Sequence, residues 1–299
     1  MRLEQLQYFV EVARSGSFTV AADLLHISQP SVSQAIANLE EELDVTLFER
    51  SRAGTRLTRT GQLLFVKAQN IINIVNEIRD EARAETDSIT GDLSIASIPS
   101  MCNAFLSDVL SSFKRMYPFV RVEVHEEGTN QVIREVLSNR AQIGLVSCVA
   151  DESLDDNIEF YPLLSGKYRL CIGKGSSIPL LDPMPVEYIR NAPIIALQPG
   201  FRQHDYLKRI LKTDELNILL TMGYTEAAKK MIASGIAVGY YPDFSVLRDP
   251  YVQSGDIMAV EIQNNDLLLN FGWIWSKNYH PTRASVEFTK TLKSVISKI

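Results

Sequence analysis

Residues 17–47, SFTVAADLLHISQPSVSQAIANLEEELDVTL, constrain this chain more than any other stretch. Ser17 and Ser28 stand where N-caps stand, each ahead of apolar residues at helical spacing. Gly16 ends a preceding helix in which Leu3, Leu6, Phe9, Val10 and Ala13 share one face. Phe18, Ala21, Ala22 and Leu25 form the inward face of the second helix, and the alanines let a neighbour come close. His26 and Ile27 make the turn. Pro30 is tolerated because its missing N–H falls in the first turn of the third helix. Val32, Ile36, Leu39 and Leu43 recur at four and three as that helix's buried stripe, opposite Gln29, Ser31, Ser33, Gln34 and Asn38. Such short amides and hydroxyls suit base edges, since Gln pairs bidentately with adenine and Ser donates or accepts. A merely solvated face would look the same taken alone. The preceding helix, the tight turn and the basic segment that follows favour a helix-turn-helix set in a DNA groove.

That basic segment, FERSRAGTRLT at 48–58, reads as a small β-wing with Ala53-Gly54 as its turn. Arg50, Arg52 and Arg56 stand where a wing meets phosphates or the minor groove. Arg50 has a structural alternative as partner of Glu40 or Glu49. The formal net charge of −6 does not suggest nucleic acid. Position matters more: Arg50, Arg52, Arg56 and Arg59 lie close together, away from the Glu40–Glu42 cluster. A local basic edge can grip phosphates within an acidic chain, because charges beyond about 8–10 Å are screened at physiological salt.

The runs Leu6-Gln7-Tyr8-Phe9, Ser17-Phe18, Ala21-Ala22, Ser28-Gln29-Pro30-Ser31-Val32-Ser33, Leu39-Glu40, Leu47-Phe48-Glu49-Arg50 and Leu57-Thr58 carry a further signal. Together they resemble the winged helix-turn-helix of LysR-type transcriptional regulators. The resemblance implies a dimer on an interrupted palindrome of double-stranded DNA, with Gln29, Pro30, Ser33 and Gln34 toward the bases. It also implies a tetrameric assembly and RNA polymerase as a further partner. Many family members carry arginine where this chain has Gln34, so the chain lacks a charge suited to guanine there.

Thr58 is placed to cap a helix running to about residue 88, with Leu64, Ala68, Ile71, Val75, Ile78 and Ala82 alternating at four and three. That is a coiled-coil seam and marks 59–90 as a dimerisation linker between a DNA-binding domain at 1–58 and the remainder, 91–299. One amphipathic helix packed on its own domain would show the same spacing.

From Gly91 strands and helices alternate, which implies an α/β domain with mostly parallel sheet. Strands are expected at 93–97, 120–126 and 143–149, with helices at 101–116 and 129–138. A second set follows: strands at 194–197, 218–222 and 236–240, helices at 201–211 and 225–233. Residues 268–276 should return to the first half, and 282–299 should close as a helix. The two lobes resemble the periplasmic-binding-protein-like effector domain of the same regulators, with 231–242, MIASGIAVGYYP, as a late signature.

Ligands in open α/β sheets sit beyond the carboxyl ends of strands, against helix N-termini. That rule selects Pro99, Ser100, Met101, Gly128, Thr129, Ser147 and Cys148 in the first lobe. In the second it selects Gln198, Phe201, Arg202, Tyr224 and Thr225. Ser100, Thr129 and Thr225 each open a helix, so they are either plain caps or hydroxyls converging on a carboxylate. Arg202 either neutralises an anion or points to solvent. The expected effector is a small organic acid or similar polar metabolite.

Other classes fit poorly. His26, His125, His204 and His280 are dispersed without metal-site spacing, Tyr168 occupies the first glycine position of a phosphate loop at 168–176, and there is no nucleophile elbow. No enzyme, metal or cofactor is expected. Cys102, Cys148 and Cys171 form no paired motif, which suits a reducing compartment. Cys102 and Cys148 fall near the cleft loops, so redox sensing is an alternative to buried cysteine acting as a small hydrophobe. No apolar run reaches the roughly 18 residues of a membrane span, and charges along the N-terminus argue against an export signal. The chain is therefore expected in the cytoplasm, and a secreted solute-binding protein, which shares the two-lobed fold, is disfavoured.

Overall fold

A computed structural model describes residues 1–298 apart from 52, 53, 83–88, 150, 151, 153 and 199. Three helices open the chain: α1 (Leu3–Ser15), α2 (Phe18–Leu24) and α3 (Gln29–Leu43). Ser17 and Ser28 cap α2 and α3, their hydroxyls accepting from the Val20 and Ser31 amides. His26, with φ of 56°, makes the turn between them. Leu6, Phe9, Ala21, Ala22, Val32, Ile36 and Leu39 form the core of this bundle. Leu43, expected in the stripe, is 37% exposed, because α3 ends there and Asp44 turns left-handed.

Strands β1 (Phe48–Ser51) and β2 (Gly54–Leu57) form the antiparallel wing. Gly54 pairs with Ser51, so it belongs to a strand rather than to the expected Ala53-Gly54 turn. Glu40 accepts from the Leu47 and Phe48 amides and so fixes the entry of β1 on α3. Phe9 meets Phe48 edge-on at 5.5 Å, tying wing to bundle. The Thr58 hydroxyl caps α4 (Arg59–Ala82) by accepting from Gly61 N–H at 2.9 Å. Gly61 is required there, since a Cβ would lie 2.2 Å from the Leu47 carbonyl oxygen.

The linker helix corrects the expected seam. Ala68 is buried and Leu64 half-buried against the bundle core, so both are spent within the chain. The exposed apolar residues of α4 are Leu63, Ile71, Ile74 and Ile78, while Val75 is half-buried. These sit on one side of the helix, opposite Phe65 and Ile72. The Ala82 side chain lies outside the described residues.

In the first lobe β3 (Gly91–Ser97) leads into a helical run of α5 (Pro99–Met101), a π-turn (Cys102–Leu106) and α6 (Ser107–Met116). Then come β4 (Val120–Glu126), α7 (Thr129–Leu137), β5 (Ile143–Val149) and β6 (Ile158–Gly166). The second lobe holds β7 (Tyr168–Gly173), α8 (Val186–Ile189), β8 (Ile194–Leu197), α9 (Gln203–Leu211), β9 (Ile218–Met222) and α10 (Thr225–Ala233). It continues through β10 (Gly239–Pro242), α11 (Asp243–Val246), α12 (Pro250–Gln253) and β11 (Ile257–Val260). The chain then returns as β12 (Leu269–Ser276) and ends on α13 (Arg283–Ile296).

Lobe 1 is a five-stranded sheet in the order β4-β3-β5-β12-β6. Its β3, β4 and β5 are parallel, whereas the returning β12 runs antiparallel between β5 and β6. In lobe 2 β8 and β9 are parallel, but β10-β7-β11 is antiparallel. The sheets are thus mixed rather than mostly parallel, because two strands pass from lobe to lobe without a helical crossover. Both passages are tied together: Lys167 Nζ donates to the Asn265 carbonyl at 2.8 Å, and Asn265 Nδ2 to the Tyr168 carbonyl at 3.2 Å.

Candidate nucleic-acid interface and effector cleft

Along α3, Ser28, Gln29, Pro30, Ser31, Gln34 and Asn38 are exposed and Ser33 is half-buried. Gln29 Nε2 donates to Ser33 Oγ at 2.7 Å, and Gln34 Nε2 to Asn38 Oδ1 at 2.8 Å. Ser28 and Ser31 hydroxyls share a 2.7 Å bond. The exposed face therefore carries a row of amides and hydroxyls bonded mostly to one another, with Ser28 also capping the helix, and the Gln29 and Gln34 amides can exchange their partners for a base edge at little cost. Arg56 is exposed on β2, across from Glu49. The Arg50 side chain and all of Arg52 lie outside the described residues.

Between the lobes Ser100, Thr129, Ser147, Phe201, Thr225 and Pro99 line one cavity, as the strand-end rule requires. Thr129 and Thr225 are the first residues of α7 and α10, and neither caps its helix, since the N-caps are Gly128 and Tyr224 without side-chain bonds. Both hydroxyls are buried without a hydrogen-bond partner, as is the Tyr240 hydroxyl. Three orphaned hydroxyls in one closed space are costly unless something polar enters to meet them. The first residues of α5, α7, α9 and α10 (Pro99, Thr129, Gln203 and Thr225) all line the same space, so the positive ends of these helices lie near it.

Six other expected residues fall elsewhere. Met101 is fully buried in the lobe 1 core, because the helix turns it away from Ser100. Cys148 points to the face opposite Ser147, as strand alternation demands. Tyr224 is 80% exposed and Gln198 is exposed. Gly128 abuts the Gly200 backbone of lobe 2, and Asn130 N–H donates to the Gly200 carbonyl. Arg202 neither lines the cavity nor points to solvent: it bridges the lobes, with Nη1 2.8 Å from the Glu152 carboxylate and Nε donating to Asn130 Oδ1 at 2.9 Å.

Residues beyond the rule complete the lining, among them Tyr168, Gln203, Lys229, Tyr240 and Tyr241. Gln203 is structural, accepting from Leu197 N–H and donating to the Tyr240 carbonyl. Lys229 is the buried cation of the cavity, 2.5 Å from Asp249 and 3.2 Å from Glu226. Burial pulls its pKa down, but Asp249 and Glu226 outweigh that and hold it above the ordinary lysine value. A lysine five residues into α10 was invisible to a rule that looks only at helix starts. The space enclosed is about 30 Å³, room for a water or two. The thiols are poor redox candidates: burial pushes Cys102 and Cys148 up to about 11 and Cys171 to about 12.

The comparisons with known proteins agree with this geometry. Residues 3–62 match the model for the bacterial regulatory helix-turn-helix protein, lysR family, and residues 86–297 match the LysR substrate binding domain. The HTH-type transcriptional regulator CysL of Bacillus subtilis is 26% identical over 298 residues, covering 98% of this chain and 97% of that protein. A probable RuBisCO transcriptional regulator of Nostoc sp. is 23% identical, over 97% of this chain and 87% of that one. In fold, full-length OxyR from Pseudomonas aeruginosa superposes with a TM-score of 0.79 at 20% identity, over 99% of this chain and 94% of that chain. Full-length CbnR complexed with its target DNA gives 0.61 at 22% identity, over 99% and 100%. A helix-turn-helix reader joined through α4 to a two-lobed effector-binding domain, matched by both family models, establishes that the chain belongs to the LysR family of DNA-binding transcriptional regulators.

Proposed function

We propose that the chain acts in the cytoplasm as a dimer or tetramer on an interrupted palindrome, with residues 1–58 as reader, 59–90 as linker and 91–299 as sensor. Gln29, Pro30, Ser33 and Gln34 face the bases, while Arg50, Arg52 and Arg56 hold phosphates and RNA polymerase is the downstream partner. Dimerisation uses the exposed Leu63, Ile71, Ile74 and Ile78 side of α4. The effector is a small organic acid held in the cleft, and the observation that carries this reading is the set of buried, unpartnered hydroxyls of Thr129, Thr225 and Tyr240. Helix N-termini supply the positive potential for a carboxylate and Lys229 supplies a charge that can turn from Asp249 to the ligand.

Two measurements test it. In mobility-shift titrations against the chain's own upstream DNA, Gln34→Ala should cost about 1–3 kcal/mol on the specific site and little on random DNA. Arg56→Ala should weaken both alike and flatten the salt dependence. Equal losses on both DNAs for Gln34→Ala would contradict the assigned base contact. In calorimetry with a panel of small organic acids, Thr129→Val and Thr225→Val should each weaken binding; tight binding of cations or long apolar molecules only would refute the acid.

A further inference from the structure

We propose a second ligand site, outside the cleft, for a small multiply charged anion of phosphate size, in the groove where reader, linker and sensor meet. A cavity of about 370 Å³ opens there, within the range of small-molecule sites. Arg14 at the end of α1, Arg79 near the end of α4 and Arg283 at the start of α13 all line it. None of these three guanidinium groups forms an ion pair among the described residues. Among the described residues the one carboxylate in the lining, Asp92, lies 3.1 Å from Arg121 Nε and is already answered. Glu287, one turn from Arg283, feels that guanidinium but is bonded instead to Lys290 at 2.7 Å and to the Tyr117 hydroxyl at 3.0 Å. The cavity also sits at the N-terminal end of a 14-residue helix.

Beyond the arginines the same seam carries unsatisfied amides. The groove runs on past Gln142 to Asn139, sharing Arg14, Asp92 and Gln142 along its length. Asn139 is 6% exposed, yet neither of its amide atoms has a partner, and the Gln142 Oε1 is likewise buried and unpartnered. The facing side of α4 is a line of amides, Gln69, Asn70, Asn73 and Asn76, of which Gln69 and Asn70 donate to the Asn139 and Asn278 carbonyls. Helix and lobe thus meet across a polar seam that its own residues leave partly unsatisfied, with arginine outnumbering carboxylate at one end among the described residues. Farther along, Glu11, Glu123 and Glu135 face Arg121, Arg140 and His125, so the seam is near balance there and the positive end is at Arg79 and Arg283. An anion at that end takes hydrogen bonds from three separate elements at once, fixing the reader's pose on lobe 1.

The probe is inorganic phosphate, titrated by calorimetry into the full-length protein at low salt, with malonate as a second arm that distinguishes a phosphate site from a dicarboxylate site. One saturable site per chain is expected for at least one of the two anions. Arg79→Ala and Arg283→Ala should each weaken it about tenfold or more, and Arg283→Lys less. Both positions are exposed, and equal melting temperatures establish that the variants are folded. Thr225→Val, which alters the cleft, should leave this affinity unchanged, so the site stands or falls independently of the cleft reading. Binding indifferent to both arginine substitutions, binding lost with Thr225→Val instead, or no saturable uptake of either anion would overturn the proposal.

Discussion

Substituting Gly128 with alanine isolates the contact that closes the cleft. Gly128 has φ of −73° and ψ of 154°, so alanine adopts the backbone without strain. The added methyl would lie 2.6 Å from the Gly200 carbonyl oxygen and 3.1 Å from the Phe201 nitrogen, both backbone atoms of the other lobe. Ordinary contact begins at 3.4 Å, so the lobes must part by about 0.8 Å at this point. Two bonds stretch with them: Asn130 N–H to the Gly200 carbonyl, at 3.3 Å, and Arg202 to Asn130 Oδ1, at 2.9 Å. Overpacking of this kind costs roughly 1–3 kcal/mol, which at about 1.4 kcal/mol per tenfold favours the open arrangement roughly 5- to 150-fold. Hydrogen exchange reads it directly. The Asn130 amide, bonded across the cleft, should exchange faster by that factor, while the Gln131 amide, bonded within lobe 1 to the Gly128 carbonyl at 2.8 Å, should not change. Unaltered exchange at Asn130, or equal acceleration at both amides, would refute the idea that this glycine sets lobe closure.

Other residues give sharper tests of stability, assembly and chemistry. Asp249→Asn keeps the cap on Tyr251 N–H but leaves Lys229, whose side chain is 8% exposed, with Glu226 alone; about 3 kcal/mol should be lost, read as a melting shift of roughly 6–12 °C. Because the Lys229 pKa is raised in the fold, its contribution is present below about pH 10.4, the ordinary lysine value, and is lost as pH climbs through the folded pKa. Alkaline melts should therefore separate wild type from Asp249→Asn less than neutral melts do. Ile74→Glu combined with Ile78→Glu, at positions 42% and 60% exposed, should convert the proposed dimer to monomer in sedimentation and make the melting temperature independent of protein concentration. With Cys102 and Cys148 near 11, only about 0.1% is thiolate at pH 8, so alkylation of the native protein should be on the order of a hundredfold slower than of the unfolded chain. Rapid alkylation that abolishes DNA binding would restore the redox alternative.

The reader was legible almost residue by residue because its signals are local. Ser17, Ser28 and Thr58 sit at the starts of helices they cap, and 3.6-residue periodicity identifies Val32, Ile36 and Leu39 as core. The parallel βαβ units were legible for the same reason, since β4, β8, β9 and α10 occupy the expected spans. Strands β6, β7 and β11 were not. The first pairs only with β12 at a sheet edge, where Pro162 is tolerated, and its mixed exposure lacks clean alternation. Only long-range pairing makes these segments strands. The cleft was half legible: strand ends and helix starts gave Ser100, Thr129, Ser147 and Thr225, but Lys229 and Tyr240 enter through lobe packing. Arg202 shows the limit clearly, because its partners Glu152 and Asn130 are 50 and 72 residues away.

The position of the hinge restricts how a bound effector can reach DNA. An enclosed space of about 30 Å³ is an order of magnitude below that of ordinary metabolite sites, so an organic acid requires the lobes to separate. Separation turns about Lys167 and residues 261–268 and works against the Arg202 bridge on the far side. The ligand shifts that equilibrium only by its differential affinity for the open arrangement. The linker helix bonds to lobe 1, through Gln69 to Asn139 and Asn70 to Asn278, and the His280 amide returns to Asn70. Lobe 2 therefore moves while reader, linker and lobe 1 travel together. On the proposed reading α3 stays where it was within one protomer, and a neighbouring chain touching lobe 2 is needed to convert cleft opening into a change of half-site spacing. It follows that the monomeric Ile74→Glu, Ile78→Glu chain should bind effector with the wild-type affinity of an isolated site, yet show the same weak DNA affinity with and without it. Retained effector dependence in that monomer would place the transmission inside the protomer, across the polar seam of α4.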